Sequence, residues 1–145
     1  MGLYECASGR SIWRGYYYFK DKGKHVLTCE RVSEDVYRGK VQGTAKKPYD
    51  VLIDIRHPRK STCSCPFAKG RRVVCKHMIA LYFTVYPSEA DRLSEQEEYE
   101  REIELQKEKE AERIKKYVNS LSKEQLRAEL LYALSELEDY QNDDW

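Results

Sequence analysis

The sequence predicts an α+β fold, in which a small antiparallel β-meander precedes a C-terminal α-helical hairpin. Short segments rich in Tyr, Val, Ile and Thr, separated by turn residues, fill residues 11–55 and are typical of strands. After Pro87, long charged segments that begin with N-cap residues favour helices. The charge divides at the same point, because residues 1–87 contain 17 Lys and Arg against 7 Asp and Glu, whereas residues 88–145 contain 9 against 18. We therefore expect two domains, 1–87 and 88–145.

Four strands fit the β-rich segment. They are expected at residues 11–20, 25–31, 36–43 and 49–55, with turns at Asp21-Lys22-Gly23, Ser33-Glu34-Asp35 and residues 44–48. The last strand has the clearest pattern, because its apolar residues alternate with Asp50 and Asp54. This alternation predicts one face that packs in the core and one that is solvated.

The C-terminal domain is expected to fold as two helices. Ser88 is a suitable N-cap for a long charged helix that continues to Val118, and Ser122 with Gln125 forms a capping box that starts a second helix. One face of the second helix is apolar and is expected to close the hairpin against the end of the first. The stripe comprises Leu126, Leu130, Ala133, Leu134 and Leu137, and the facing residues are Ile114, Tyr117, Val118 and Leu121.

Composition and motifs argue against several classes of protein. No segment approaches the roughly 20 apolar residues of a membrane span, and the N-terminus lacks the basic and apolar regions of a signal peptide. We expect a soluble cytoplasmic or nucleoid-associated protein that is not secreted. The five cysteines are too few and too unevenly spaced for a disulfide scaffold. Without a P-loop, a Ser/His/Asp grouping or a Gly-rich dinucleotide loop, an enzyme is not expected.

A metal-ligand pattern follows the last strand, in the order C-x-C, nine residues, C-x-H. Three thiolates and an imidazole form a complete tetrahedral set, which zinc prefers and which leaves no coordination position for water. Cys63 and Cys65 project to the same side of an extended backbone. Cys75 and His77 would diverge within a helix, so they belong where a helix begins. We expect one structural zinc ion on these four residues.

One histidine and two cysteines with a bearing on the zinc site lie outside this pattern. His57 lies six residues before Cys63 and is an alternative ligand to His77, although the proline and the basic run after it favour an exposed turn. Cys6 and Cys29 are isolated in the sequence, and we expect both to be small buried hydrophobic residues.

The segments Cys-Ser-Cys-Pro and Val-Cys-Lys-His-Met-Ile-Ala-Leu, joined by a short basic loop, resemble the SWIM zinc finger family. The preceding Tyr-Asp-Val-Leu-Ile at residues 49–53 resembles the leading strand of the family. The similarity covers about residues 37–86, with the finger core at about 49–86. It implies a ββα unit that binds zinc through Cys63, Cys65, Cys75 and His77, of the kind found in small bacterial proteins. DNA binding or protein interaction is the role that the family resemblance implies.

Basic residues around the ligands are candidates for contacts with phosphates. They are Arg56, Arg59, Lys60, Lys69, Arg71, Arg72 and Lys76. This basic face predicts binding to DNA or RNA, and the consecutive residues Tyr16, Tyr17 and Tyr18 either add stacking surface or pack in the core. Alternatively, the basic loop is a solvated surface, or it docks on the acidic helices. A second hypothesis is that residues 88–145 recruit a protein partner.

Overall fold

The structure of the chain, a computed structural model, describes residues 2–142. A short 3-10 helix at Leu3–Cys6 comes first. The longer elements are α1 (Gly9–Lys20), β1 (Val26–Ser33), β2 (Val36–Val41), β3 (Tyr49–Asp54), β4 (Thr62–Cys63), α2 (Lys76–Val85), α3 (Pro87–Ser120) and α4 (Lys123–Asn142). The chain forms two compact units that divide between Glu95 and Gln96, so α3 begins in the first unit and continues in the second.

The four strands form one antiparallel meander in the order β1-β2-β3-β4. The second, third and fourth expected strands are confirmed as β1, β2 and β3. Val51 and Ile53 of β3 are buried whereas Asp50 is exposed, which is the alternation visible in the sequence. β4 pairs with β3 through Val51 and Cys63, so the first cysteine of the C-x-C pair lies at the edge of the sheet.

The strand expected over residues 11–20 is wrong, because this segment forms the helix α1. Its large apolar side chains recur at helical intervals on one face, which packs against the core. They are Ile12, Trp13, Tyr16 and Phe19. Ser8 caps the helix, since its Oγ accepts a hydrogen bond from the Ser11 backbone N–H at 3.2 Å. Burial of this face outweighs the strand propensity of the individual aromatic residues.

Helices α1 and α2 approach each other closely at Gly15. A β-carbon at this position would lie 2.5 Å from Cβ of Ile79 and 2.8 Å from the carbonyl oxygen of Lys76, so the contact requires glycine. The α2 side chains from Met78 to Leu81 are completely buried. α2 lies against the sheet, and with α1 on another side it occupies the centre of the core.

The two expected C-terminal helices are confirmed as α3 and α4, and so is the capping box between them. The Ser122 Oγ accepts a hydrogen bond from the Gln125 N–H at 3.2 Å, and the Gln125 Oε1 accepts one from the Ser122 N–H at 2.8 Å. Among the described residues, none of the helices combines the length and apolar character needed to cross a membrane.

The apolar seam expected between α3 and α4 is not buried. Ile114 is 52% exposed, Leu130 61% and Leu137 59%. The contact between these helices includes a polar bridge, in which the Tyr117 hydroxyl donates a hydrogen bond to Glu129 Oε1 at 3.0 Å. Each apolar stripe is narrow and flanked by charged residues, so each offers the other little apolar area to bury.

Candidate metal centre

Local structure brings the C-x-C and C-x-H pairs to one point. Cys63 ends β4, and Cys65 opens a turn in which the Ala68 N–H donates a hydrogen bond to the Cys65 carbonyl at 3.2 Å. Cys75 is the N-cap of α2 and His77 lies in the first turn of that helix. The start of α2 therefore directs the C-x-H pair toward the C-x-C pair, as the spacing predicts.

The size of the cluster fits a zinc ion. The four potential ligand atoms lie within 4.8 Å of one another, and His77 Nδ1 is 3.8 Å from both Cys63 Sγ and Cys75 Sγ. Zinc–sulfur bonds of about 2.3 Å and a zinc–nitrogen bond of about 2.0 Å place tetrahedral sulfur and nitrogen atoms about 3.5 Å apart. All four side chains are buried, and a closed, buried set of four protein ligands is typical of a structural site.

The ionisation of the three thiols also favours a cation at their centre. The interaction between the Cys63 and Cys75 side chains raises the pKa of Cys63 and lowers the pKa of Cys75 to about 4. Burial raises the pKa of Cys65. Without a metal, the site therefore holds one thiolate and two neutral thiols at neutral pH. A divalent cation permits all three to ionise, because it compensates their mutual repulsion.

Packing fixes the orientation of the His77 ring. Its centroid lies 4.8 Å from that of Tyr49, and a β-carbon at Gly43 would approach Nε2 to 3.0 Å. Nε2 is buried without a hydrogen-bond partner among residues 2–142. The contacts leave Nδ1 as the nitrogen that faces the sulfurs, so Nδ1 is the ligand atom.

His57 does not belong to this cluster. It is exposed, its Nδ1 lies 3.5 Å from Asp54 Oδ1, and its backbone N–H donates to the same oxygen at 2.9 Å. The residue precedes a short 3-10 turn at Pro58–Lys60. His77 is therefore the histidine of the site, and the alternative assignment to His57 is excluded.

Residues 49–86 match the family model described as SWIM zinc finger. The chain contains a SWIM zinc finger. The matched segment runs from the first residue of β3 to the end of α2 and includes all four clustered residues. It is the ββα unit that the resemblance implies, with β3, β4 and α2 as its elements and one structural zinc ion as its cofactor. No curated protein and no solved structure matches the chain.

Two of the seven basic residues around the SWIM finger are engaged by residues outside the finger. Arg56 Nε lies 2.9 Å from Asp35 Oδ2, and its Nη2 lies 3.7 Å from Glu34 Oε1. Lys76 Nζ lies 4.6 Å from the ring centroid of Tyr18. Arg56 is therefore partly neutralised by the β1–β2 turn, and Lys76 is held over an aromatic face.

Four more of the seven surround one depression of about 470 Å³ beside Cys63. They are Arg59, Lys69, Arg71 and Arg72, and all are exposed. Arg59, Lys69 and Arg72 form no ion pair with any residue in the described range 2–142. Lys60, the seventh residue, is exposed in the 3-10 turn. We call this depression and its four basic residues the basic depression.

Two arginines of α1, which the sequence pattern does not single out, lie close to the finger. Arg10 and Arg14 border a separate cavity of about 430 Å³ together with Cys65, Cys75 and Lys76. The signal that could have found them is their spacing of four residues, which places both on one side of a helix. In a strand the same two residues would share a face but lie about 13 Å apart, so the expected strand does not bring them together.

The three consecutive tyrosines have three different environments. Tyr16 is 6% exposed and belongs to the core, whereas Tyr17 is 61% exposed. The Tyr18 ring stacks on His25, with centroids 3.8 Å apart. Core packing therefore accounts for Tyr16 and leaves Tyr17 on the surface.

The two isolated cysteines also differ from each other. Cys6 is half-buried and packs against the core, close to the expectation. Cys29 is exposed, so its expected burial is wrong. It lies on β1, which is an edge strand of the sheet and whose residues from Leu27 onward are exposed. An edge strand pairs with one neighbouring strand, whereas a central strand pairs with two, so β1 is less covered than the central strands.

Proposed function

We propose that the chain is a zinc-stabilised nucleic-acid-binding module, in which the SWIM finger presents the basic depression to phosphates. The observation that carries this proposal is the convergence of Arg59, Lys69, Arg71 and Arg72 on one concave surface. Exposed cations without acidic partners are suited to phosphate contact, because each releases condensed counterions from the nucleic acid. The role is one of binding, with no catalytic step assigned to the chain.

The zinc ion, when bound, supplies a cross-link between the loop, the sheet edge and α2. Residues 66–72 are mostly polar or small and contribute one buried side chain, Ala68, to the core. They cannot hold their own conformation through hydrophobic burial. Cys65 and Cys75 anchor the two ends of this loop at the metal centre, and that anchoring positions the basic side chains between them.

The proposal predicts affinity that depends strongly on salt and weakly on base sequence. Contacts with phosphates orient a protein on nucleic acid but do not read the bases. The net positive charge of residues 1–87, with 17 Lys and Arg against 7 Asp and Glu, supports the same electrostatic mode of binding.

The test is fluorescence anisotropy of the zinc-loaded chain with a labelled oligonucleotide, in salt from about 50 to about 200 mM. Lys69→Ala/Arg72→Ala should weaken binding equally for unrelated sequences and reduce the salt slope by about 1.4 on a single strand. Lys115→Ala/Lys116→Ala changes the net charge by the same amount on exposed residues of the second compact unit, and it should leave affinity near that of wild type. Equal effects of the two variants would contradict the basic depression as the contact surface.

A second candidate function, recruitment of a protein partner, is favoured by the apolar surface of α4. Leu130, Leu131 and Leu137 are 61, 71 and 59% exposed, and contiguous exposed apolar surface is typical of protein interfaces. Leu130→Glu/Leu137→Glu should then abolish capture of a specific partner from cell extract, whereas Glu124→Gln/Glu138→Gln on the same helix should preserve it. Identical sets of captured proteins for both variants would argue against this role.

A further inference from the structure

The cavity between α1 and the SWIM finger is distinct from the basic depression. Three of the zinc ligands, Cys65, Cys75 and His77, also line it, so it borders the metal centre. The cavity is lined by three cationic side chains, Arg10 and Arg14 of α1 and Lys76 of α2. The aromatic ring of Phe67 also lines it. All of these residues belong to the first compact unit.

Phe67 has an exposed ring that the finger itself holds in place. The side chain is 50% exposed, although a phenyl group gains free energy from burial. The guanidinium carbon of Arg71 lies 5.2 Å from the ring centroid, and Arg71 Nη1 donates a hydrogen bond to the Phe67 carbonyl at 3.2 Å. Phe67 also lies within the turn that Cys65 opens, where the Lys69 N–H donates to the Cys65 carbonyl at 2.9 Å. The zinc-anchored turn therefore presents the ring to solvent.

The arginines of α1 provide cations beside this ring. Arg10 and Arg14 are one helical turn apart, both are exposed, and neither forms an ion pair with another residue of the range 2–142. Lys76 adds a third cation, held 4.6 Å from the centroid of Tyr18. The cavity thus joins an exposed aromatic face to side chains that attract an anion.

This combination matches the chemistry of single-stranded nucleic acid, whose bases stack on aromatic rings while its phosphates contact cations. In a duplex the base faces are covered by neighbouring pairs and are not available for such stacking. We propose that the cavity holds an unpaired nucleobase stacked on Phe67, with a neighbouring phosphate on Arg10 and Arg14. The chain then prefers single-stranded to duplex nucleic acid. This inference rests on the proposed function and adds to it the strand form and the residues that select it.

The experiment uses the full zinc-loaded chain and three labelled probes: a 12-nucleotide oligothymidylate, a 12-base-pair duplex, and an abasic 12-mer with the same phosphates. Wild type should bind oligothymidylate most tightly. Phe67→Leu should weaken that binding about tenfold, since a base stacked on an aromatic side chain contributes about 1–3 kcal/mol. It should leave the duplex and abasic affinities unchanged, and Phe67→Trp should restore the preference.

Tyr17→Leu is the matched control, because Tyr17 is an exposed aromatic residue of α1 that does not border the cavity. It should bind all three probes as wild type does. Arg10→Gln/Arg14→Gln should weaken oligothymidylate binding more than duplex binding. If Phe67→Leu fails to retain zinc, this second variant tests whether the cavity binds the single strand.

The outcomes separate this inference from the function on which it rests. Equal wild-type affinity for single strand and duplex, or an equal loss on all probes in Phe67→Leu, would overturn the stacking site while the basic depression still accounts for binding. No binding of any probe at low salt would overturn the proposed function together with the inference.

Discussion

Individual backbone N–H groups influence the ionisation of the three cysteines of the SWIM finger. The backbone N–H groups of Cys65, Ala68 and Met78 act to lower the pKa values of the Cys63, Cys65 and Cys75 thiols, respectively. Such N–H dipoles favour thiolates over thiols, because they stabilise the charged form. The backbone therefore favours the charged form of all three sulfurs, and the metal compensates the remaining repulsion between them.

Loss of one thiolate should remove the zinc and much of the stability. We expect Cys65→Ser to contain less than one zinc per chain by elemental analysis, and to unfold with a free energy lower by about 3 kcal/mol or more. The melting temperature should fall by more than about 10 °C. Cys29→Ser is the control, since Cys29 is exposed and outside the cluster, and it should retain zinc and wild-type melting. Full zinc content in Cys65→Ser would refute the ligand assignment.

Zinc binding should release protons and become tighter as the pH rises. The raised pKa values of Cys63 and Cys65 leave both thiols protonated in the metal-free site at neutral pH, while Cys75, with a pKa of about 4, is already a thiolate. Because the metal-free state holds the protons, lower pH opposes binding. We expect about two protons released per zinc between pH 7 and 8, measured with an indicator dye in weak buffer. Release of no protons would contradict this ionisation pattern.

Among the elements, the helix pair α1–α2 positions the metal centre. α2 carries Cys75 at its N-cap and His77 in its first turn, and α1 packs along the same helix at Gly15. The first turn of α2 is thus held between the sheet, which carries Cys63, and α1. The position of the C-x-H pair depends on this packing as well as on the ion.

Gly15→Ala should therefore destabilise the chain. The added β-carbon would meet Ile79 Cβ at 2.5 Å and the Lys76 carbonyl oxygen at 2.8 Å, so the helices must separate at the start of α2. Overpacking of this kind costs about 1–3 kcal/mol, which chemical denaturation can measure. Gly9→Ala, where a β-carbon meets nothing within 4 Å, should be close to neutral. A neutral Gly15→Ala would show that this contact is not tight.

The elements that the sequence predicted correctly are those whose pattern is local. β3 alternates apolar and acidic residues, the capping box at Ser122 contains its own hydrogen-bond partners, and the C-x-C and C-x-H spacings permit little besides a shared ion. α1 was missed because Tyr16, Tyr17 and Tyr18 favour strands as residue types. Its helical state depends on a surface of α2 that lies about 60 residues away in the chain, as the contact of Gly15 with Ile79 shows. The arginines of α1 were missed for the same reason.

At the scale of the whole molecule, burial and charge divide the chain at nearly the same place. All the described core residues lie between Leu3 and Leu93, and the first compact unit ends at Glu95. Residues 96–145 contain 15 Asp and Glu against 8 Lys and Arg. The core, the SWIM finger and the net positive charge therefore reside in the first unit, whereas the second contributes net negative charge and exposed apolar side chains.

A chain ending at Glu95 should consequently fold, hold one zinc ion and bind nucleic acid at least as tightly as the full chain. Removal of the acidic segment weakens the long-range repulsion of phosphates.

A chain ending at Tyr86 should be less stable, although it retains every zinc ligand. It lacks Ala90, which is 1% exposed, and Leu93, which packs against the same core. Burial of these two side chains is worth about 2–4 kcal/mol, so the shorter chain should melt more than about 10 °C lower. Equal melting of the two truncations would place the end of the folded unit at residue 87, where the composition changes. Loss of nucleic-acid binding in the chain ending at Glu95, with zinc retained, would assign the contact surface to the helices beyond it.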